Sequence, residues 1–113
     1  MEKKKAGDPP EICVILSTVS PALSAALAKS LLEKNLAACV NITTVRSLYR
    51  WEGECCDDGE HLLIIKTRQV LADAVIRALK AEHPYEVPEI LVMPVSAGHI
   101  PYLEWVHEET KEP

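Results

Sequence analysis

Apolar and polar positions along the chain follow first the pattern of a strand and then that of a helix. Residues 12–17 form an apolar run of strand length, and Ser20-Pro21 then supplies an N-cap and a first helical position. Asn35 suits a left-handed C-cap. The helical stripe between them consists of Leu23, Leu27, Leu31 and Leu32. This order predicts a first strand and a first helix.

The longest uninterrupted segment is residues 36–52, which contain no proline or glycine. It far exceeds the roughly five or six residues of a usual strand, so its far half is expected to bend or to pair with another molecule. Its apolar side chains begin at even positions, 38 to 42, and continue at odd positions, 45 to 51. This change of parity predicts a β-bulge near Thr43-Thr44.

A polar turn at residues 53–59 is expected to lead into a returning strand, residues 62–65, which is apolar on both faces. Strands of this kind are covered on both sides. Helices can cover one face, and a partner subunit is the simplest cover for the other. The turn would hold Cys55-Cys56 in an exposed position.

Residues 67–82 show the periodicity of a second amphipathic helix, which His83-Pro84 ends. A short strand at residues 90–95 and a last helix from Pro101 to Glu108 follow. The order β-α-β-β-α-β plus a C-terminal helix is the α+β, ferredoxin-like split βαβ arrangement. We predict a disordered leader at residues 1–10 and a single domain at residues 11–113.

Composition narrows the function classes. The formal net charge is −5, from 17 acidic and 12 basic residues, which argues against nucleic acid as a partner. No run approaches the roughly 20 apolar residues of a membrane helix, so no membrane insertion is expected. Four cysteines without a C-x-x-C motif are typical of a reducing compartment, and we predict a cytoplasmic protein. No catalytic motif is present, so we predict that it is not an enzyme and requires no cofactor.

Five blocks occur in order along the chain: LAACVN at 36–41, SLYRWEG at 47–53, IKT at 65–67, HPYEVPE at 83–89 and YLEW at 102–105. Together they resemble the CutA family of divalent-cation tolerance proteins. The resemblance implies a homotrimer of ferredoxin-like subunits, held together by the long second and third strands. It also implies a role in metal-ion response, with copper or another divalent cation as the bound ion.

The candidate metal ligands are Cys39, His83, Glu86 and Glu89. Thiolate suits Cu(I), whereas imidazole and carboxylate suit Cu(II) or zinc. Some family members carry a cysteine at the position of Ser17 and a His-His pair before the proline, where this chain has Glu82-His83. The structural alternative is that His83 caps the second helix and that Cys39 is a small buried residue in the sheet.

A second interpretation is a small-molecule sensor or non-catalytic scaffold similar to the trimeric PII signalling proteins. Its ligand would bind in a cleft between subunits. The residues predicted for this cleft are Lys66, Tyr85, Trp105 and Trp51. Aromatic residues are also frequent in plain subunit contacts, so these rings alone do not decide between a ligand cleft and an interface.

Overall fold

The structure is a computed structural model that describes residues 8–112. Its elements are β1 (Ile12–Val19), α1 (Pro21–Glu33), β2 (Cys39–Trp51), β3 (Glu54–Arg68), a 3-10 turn (Gln69–Leu71), α2 (Ala72–Glu82), β4 (Ile90–Pro94) and α3 (Ile100–Glu108). The strands form one antiparallel sheet in the order β2-β3-β1-β4. The predicted ferredoxin-like arrangement is confirmed. Part of the predicted leader, residues 1–7, lies outside the described residues.

The helices α1 and α2 cover one face of the sheet, where the main core lies. Ile15, Leu63 and Ile65 are fully buried there, and they meet Leu31 of α1 and Leu79 of α2. α3 instead packs Leu103 and Val106 on a second, smaller cluster at the start of β1. None of the helices within residues 8–112 is long and apolar enough to span a membrane.

The opposite face of the sheet, here called the open face, carries Val14, Leu16, Leu62, Ile64, Leu91 and Met93. These side chains alternate along their strands with those that point into the core. Leu91 and Met93 are 54% and 44% exposed. β3 is therefore apolar on both faces, as predicted, but α1 and α2 cover only one of them.

Most predicted element boundaries hold to within a few residues, and Asn35 has the predicted left-handed conformation at φ 56°. The start of β3, described below, and the second helix are the exceptions; β3 continues to Arg68 and α2 begins only at Ala72. Arg68 pairs with Ile12 in the sheet, and its guanidinium donates to the side-chain and main-chain oxygens of Thr110. These contacts hold the chain extended where the helical periodicity of the sequence had already begun.

The predicted turn at residues 53–59 is wrong. The reversal takes only Glu52 and Gly53, both with positive φ, as in a type I′ hairpin turn. Cys55 and Cys56 therefore lie in β3, opposite Arg50 and Tyr49. The polar stretch stays extended because β2 offers cross-strand partners, in particular an ion pair from Arg46 to Asp57 and a hydrogen bond from Tyr49 to Asp58.

The predicted bulge near Thr43-Thr44 is also wrong. β2 and β3 pair without interruption from Cys39 opposite Lys66 to Trp51 opposite Glu54. Val40 packs against the core under the helices, whereas the odd positions from 45 onwards lie on the open face. Along this one regular strand, the apolar side chains lie first on the core face and then, from residue 45, on the open face. The change of parity therefore needs no extra residue.

The β2-β3 hairpin extends far beyond the rest of the sheet. β1 pairs with β3 only between His61 and Arg68, so residues 45–60, here called the hairpin tip, form a two-stranded ribbon. The molecule measures 51 Å along its long axis and 29 and 23 Å across. Isolated two-stranded ribbons are at best marginally stable in water. The tip therefore depends on contacts outside its own two strands.

His83 ends α2 and joins it to the sheet. Its backbone N–H donates to the carbonyl of Leu79 at 2.8 Å, and its own backbone is extended, as expected before Pro84. Ring atom Nε2 lies 2.8 Å from the carbonyl oxygen of Thr18, and Nδ1 lies 3.1 Å from the backbone nitrogen of Tyr85. Because a carbonyl only accepts and a backbone N–H only donates, Nε2 carries the proton and Nδ1 accepts.

We predict that His83→Ala lowers the free energy of unfolding by about 1–3 kcal/mol, because it leaves a buried carbonyl and a backbone N–H without partners. Denaturant unfolding followed by circular dichroism measures the change. His107→Ala, at an exposed position in the last turn of α3, is the control and should change stability much less. Equal stability of His83→Ala and the wild type would contradict this role.

Candidate functional site

A groove of about 710 Å³ lies between the hairpin tip and the segment that follows α2. It is lined by Thr18, residues 46–49, Trp51, Glu60, residues 85–87 and Glu89. β1 ends at Val19, and the segment after α2 contacts the end of β1 through His83 and the carboxylate of Glu60 in β3 through Tyr85. The groove lies where β3 extends past the end of β1.

Glu60 is the most deeply placed acidic group of the groove, with only 6% of the residue exposed. The hydroxyl of Tyr85 donates to its Oε2 at 2.8 Å. Burial, and after it the bond to Glu60, raises the pKa of Tyr85 to about 12. The phenol therefore stays protonated at neutral pH and serves Glu60 as a permanent donor.

A second tyrosine binds a second carboxylate on the tip. The hydroxyl of Tyr49 donates to Oδ2 of Asp58, and chiefly through this hydrogen bond the pKa of Tyr49 is raised. Tyr49 and Trp51 project from alternate positions of β2 and are 42% and 41% exposed. The groove thus combines carboxylates with accessible aromatic rings.

Negative charge predominates in the groove. Its carboxylates are Glu60, Glu86 and Glu89, and among the described residues Arg46 is the only basic one in its lining. Arg46 is already paired, because its Nε and Nη2 lie 2.9 and 2.6 Å from the two carboxylate oxygens of Asp57. This hydrogen bonding raises the pKa of Arg46 and lowers that of Asp57. The guanidinium of Arg46 is therefore bound to Asp57, which is not one of the three carboxylates of the groove.

The predicted metal ligands fall in three different places. Glu86 and Glu89 line the groove. His83 is buried, and both of its ring nitrogens are engaged by the protein, which leaves no lone pair for a metal. Cys39 lies at the other end of the hairpin, where its Sγ is 3.9 Å from Nζ of Lys66. Within residues 8–112, no three His, Cys, Asp or Glu side chains are grouped so that they could hold a metal ion.

The residues predicted for the alternative cleft also separate into two clusters. Trp51 and Tyr85 lie in the groove. Lys66 lies at the base of the hairpin with Cys39, and Tyr102 of α3 reaches the same cysteine. Trp105 stacks obliquely on Tyr102, with ring centroids 5.7 Å apart. Glu60 and Lys66 are six positions apart in β3, which is about 20 Å along a strand.

Glu60 and Tyr49 carry much of the groove's chemistry, and sequence reasoning did not select Glu60. The preceding residues Asp57, Asp58 and Gly59 are typical of a solvated turn. A further acidic residue in such a turn is expected to be exposed, so Glu60 was not distinguished from its neighbours. One signal was available. Glu60 shares the parity of Leu62 and Ile64, so a strand that continued past His61 would place its carboxylate on the open face.

Comparison with known proteins assigns the family. The family model described as "CutA1 divalent ion tolerance protein" matches residues 12–109. The divalent-cation tolerance protein CutA of Thermus thermophilus is 42% identical over 101 residues, covering 88% of this chain and 98% of that protein.

Two solved structures extend the match to the fold. The crystal structure of CutA1 from Oryza sativa has a TM-score of 0.88 at 42% identity and covers 93% of this chain and 98% of the other. The PII-like protein CutA from Nostoc sp. PCC 7120, in its apo form, has a TM-score of 0.85 at 32% identity and covers 88% and 97%.

The curated relatives differ in length. This chain spans 59% and 57% of the rice and Arabidopsis proteins, which are named as chloroplastic, and 49% of the mouse protein. It spans nearly the whole of the Thermus protein. The common part is the ferredoxin-like domain described above, and by that domain the chain belongs to the CutA family of divalent-cation tolerance proteins.

Proposed function

We propose that this protein acts in divalent-cation tolerance as a cytoplasmic homotrimer that binds copper-type cations and catalyses no reaction. The observation that carries the assembly is the open face of the sheet, which is apolar but uncovered. The family resemblance supports the number of subunits and the class of ion. Four free cysteines support a reducing compartment.

The open face supports an assembly because it is a continuous apolar surface. β1, β3 and β4 contribute neighbouring side chains to it, with Leu16 opposite both Ile64 and Leu91 in the sheet. Contiguous apolar surface of this kind usually marks an interaction site. A second copy of the chain is the simplest partner, since each copy exposes the same face.

The hairpin tip provides a second reason for assembly. From Glu54 to Glu60, β3 has β2 on one side and no strand on the other within residues 8–112. β2 is an edge strand along its whole length. Unpaired strand edges readily pair with another chain, so subunit contacts would complete the sheet and stabilise the ribbon.

The proposed metal site uses donors from more than one chain, because residues 8–112 of one chain group no three suitable side chains. Cys39 supplies a thiol that is partly accessible, and Glu86 and Glu89 supply exposed carboxylates at the groove. His83 joins such a site only if it gives up the hydrogen bonds to Thr18 and Tyr85. We therefore rank Cys39 and the two glutamates above His83 as ligands.

A second candidate function is that of a PII-like small-molecule sensor or scaffold. The observation that favours it is the groove, which already contains Trp51 and Tyr85. Lys66 and Trp105 lie at the other end of the hairpin, with Cys39. They would join Trp51 and Tyr85 in one cleft only if the groove of one subunit faces that end of the hairpin in the next subunit. Both candidate functions thus require the homotrimer. They differ in the bound ligand, which is a metal ion in the first and a small molecule in the second.

The assembly is tested by light scattering. We expect a mass three times the 12.5 kDa of one chain. Leu91→Lys places a charge on the open face and is expected to give monomers, because burying an unpaired ammonium in an apolar contact is unfavourable. Val70→Lys, at a position that is 65% exposed but lies outside this face, is the control and should remain trimeric. A wild type that is monomeric at micromolar concentration refutes the proposal.

Metal binding is tested by competition titration of Cu(I) and Cu(II) against a chelator of known affinity. We expect Cys39→Ser to weaken Cu(I) binding at least about tenfold, because thiolate is the preferred ligand of this ion. The double variant Glu86→Gln/Glu89→Gln is expected to weaken Cu(II) binding. His83→Ala is expected to affect stability more than affinity.

The matched control for the thiol is Cys55→Ser/Cys56→Ser, which removes the two adjacent cysteines of the hairpin tip. If copper binding were lost in this variant alone, the binding would be incidental chemistry of these two thiols and not a specific site. Absence of competitive binding by the wild type would overturn the metal proposal and leave the sensor function.

A further inference from the structure

We propose that the groove binds an organic cation, namely an alkylammonium or alkylguanidinium group with an apolar body, through Glu60 and the aromatic rings of the hairpin tip. This inference goes beyond metal tolerance. It gives a ligand class to the second candidate function, and its test has readouts independent of copper binding.

The buried carboxylate of Glu60 is the first reason. Its Oε2 accepts from Tyr85, while its Oε1 has no hydrogen-bond partner among residues 8–112. Oε1 keeps some accessible surface, and Glu60 is one of the residues that line the groove. A carboxylate held in a site of low dielectric with one free oxygen favours a charged donor, because charge-assisted hydrogen bonds are about twice as strong as neutral ones.

The aromatic rings are the second reason. Tyr49, Trp51 and Tyr85 line the same groove as Glu60 and keep about two fifths of their surface exposed. The face of an aromatic ring attracts a cation, most strongly in the case of tryptophan. Rings and a carboxylate together suit a ligand that has a charged head and an apolar body.

The balance of charge is the third reason. Three carboxylates face the groove, and its one guanidinium, that of Arg46, is held by Asp57. An anion would meet repulsion from Glu60, Glu86 and Glu89, and residues 8–112 place no free cation in the lining to compensate it. An organic cation instead offsets part of the charge that the groove already carries.

A metal ion fits the same groove less well. Ions of the copper and zinc class take about four ligands, and no group of three suitable side chains occurs within residues 8–112. An ammonium or guanidinium group needs only one well-placed acceptor and a surface for its apolar part. The groove offers both within one chain.

The test uses the full-length protein in its native assembly and saturation-transfer difference NMR with phenethylammonium. Two probes of similar size serve for comparison, the neutral 2-phenylethanol and the anionic 3-phenylpropionate. We expect the cation to bind at least about tenfold more tightly than the alcohol, in keeping with one charge-assisted hydrogen bond. We expect the anion not to bind.

Two pairs of variants locate the site. Glu60→Gln keeps an acceptor for Tyr85 but removes the charge, and it is expected to reduce the affinity for phenethylammonium about tenfold. Glu33→Gln, at the exposed end of α1, is its control and should have no effect. Trp51→Leu is expected to weaken binding several-fold, whereas Leu32→Ala, which changes an equally exposed apolar side chain on α1, should not.

Three results overturn the proposal. The first is equal binding of the cation and the alcohol, and the second is unchanged binding in Glu60→Gln. The third is absence of amine binding together with a lower mass of Glu60→Gln in light scattering. That result would show that Glu60 receives a lysine or arginine of a neighbouring copy instead of a free ligand. None of them changes the copper titration of the wild type, in which Cys39→Ser tests a ligand that lies outside the groove.

Discussion

β3 is longer than its inner neighbour β1, and much of this structure depends on that difference. β1 stops at Val19 because Ser20-Pro21 begins a helix, and proline cannot donate to a sheet ladder. From Glu60 back to Glu54, β3 therefore has no strand on its inner side within residues 8–112. The segment after α2 contacts Thr18 and Glu60 and forms the second wall of the groove.

The same segment is fixed to the end of β1. His83 donates from its ring to the carbonyl of Thr18, and Tyr85 reaches across to Glu60. The two rings also meet edge to face, with centroids 4.7 Å apart. Residues 83–85 thus end α2, donate to the carbonyl of Thr18 near the end of β1, and supply the hydroxyl that donates to the buried carboxylate of Glu60. His83, which is also predicted as a metal ligand, is part of this support.

The sequence predicts the structure well where residues of the segment itself set its backbone conformation, and poorly where distant residues set it. The first helix and its flanking strand follow from Ser20-Pro21, the leucine stripe and Asn35, because each of these residues has a local physical preference. The hairpin tip does not follow in this way. Its residues 54–60 are polar and resemble a turn, and their pairing with β2, together with the side-chain contacts of Arg46 and Tyr49, keeps them extended.

The candidate site shows the same division. The sequence identifies the aromatic rings of Trp51 and Tyr85, because aromatic residues are few in this chain, with three tyrosines and two tryptophans. It does not reveal that Lys66 and Trp105 lie at the other end of the hairpin, since that depends on strand register. Glu60 is recognisable only once β3 is known to extend past His61.

The location of Ser17 limits where a metal site can be. Some members of the family have a cysteine at this position, but in this chain Ser17 is fully buried, and its hydroxyl has no partner within residues 8–112. It faces the core with Leu63 and Ile90, its partners in the sheet. A ligand at position 17 would act together with His83 only if the core opened and His83 released both of its hydrogen bonds. Donors that already reach solvent, such as Cys39 and Glu86, need no such rearrangement, and this is the physical reason for placing a metal at the surface between subunits.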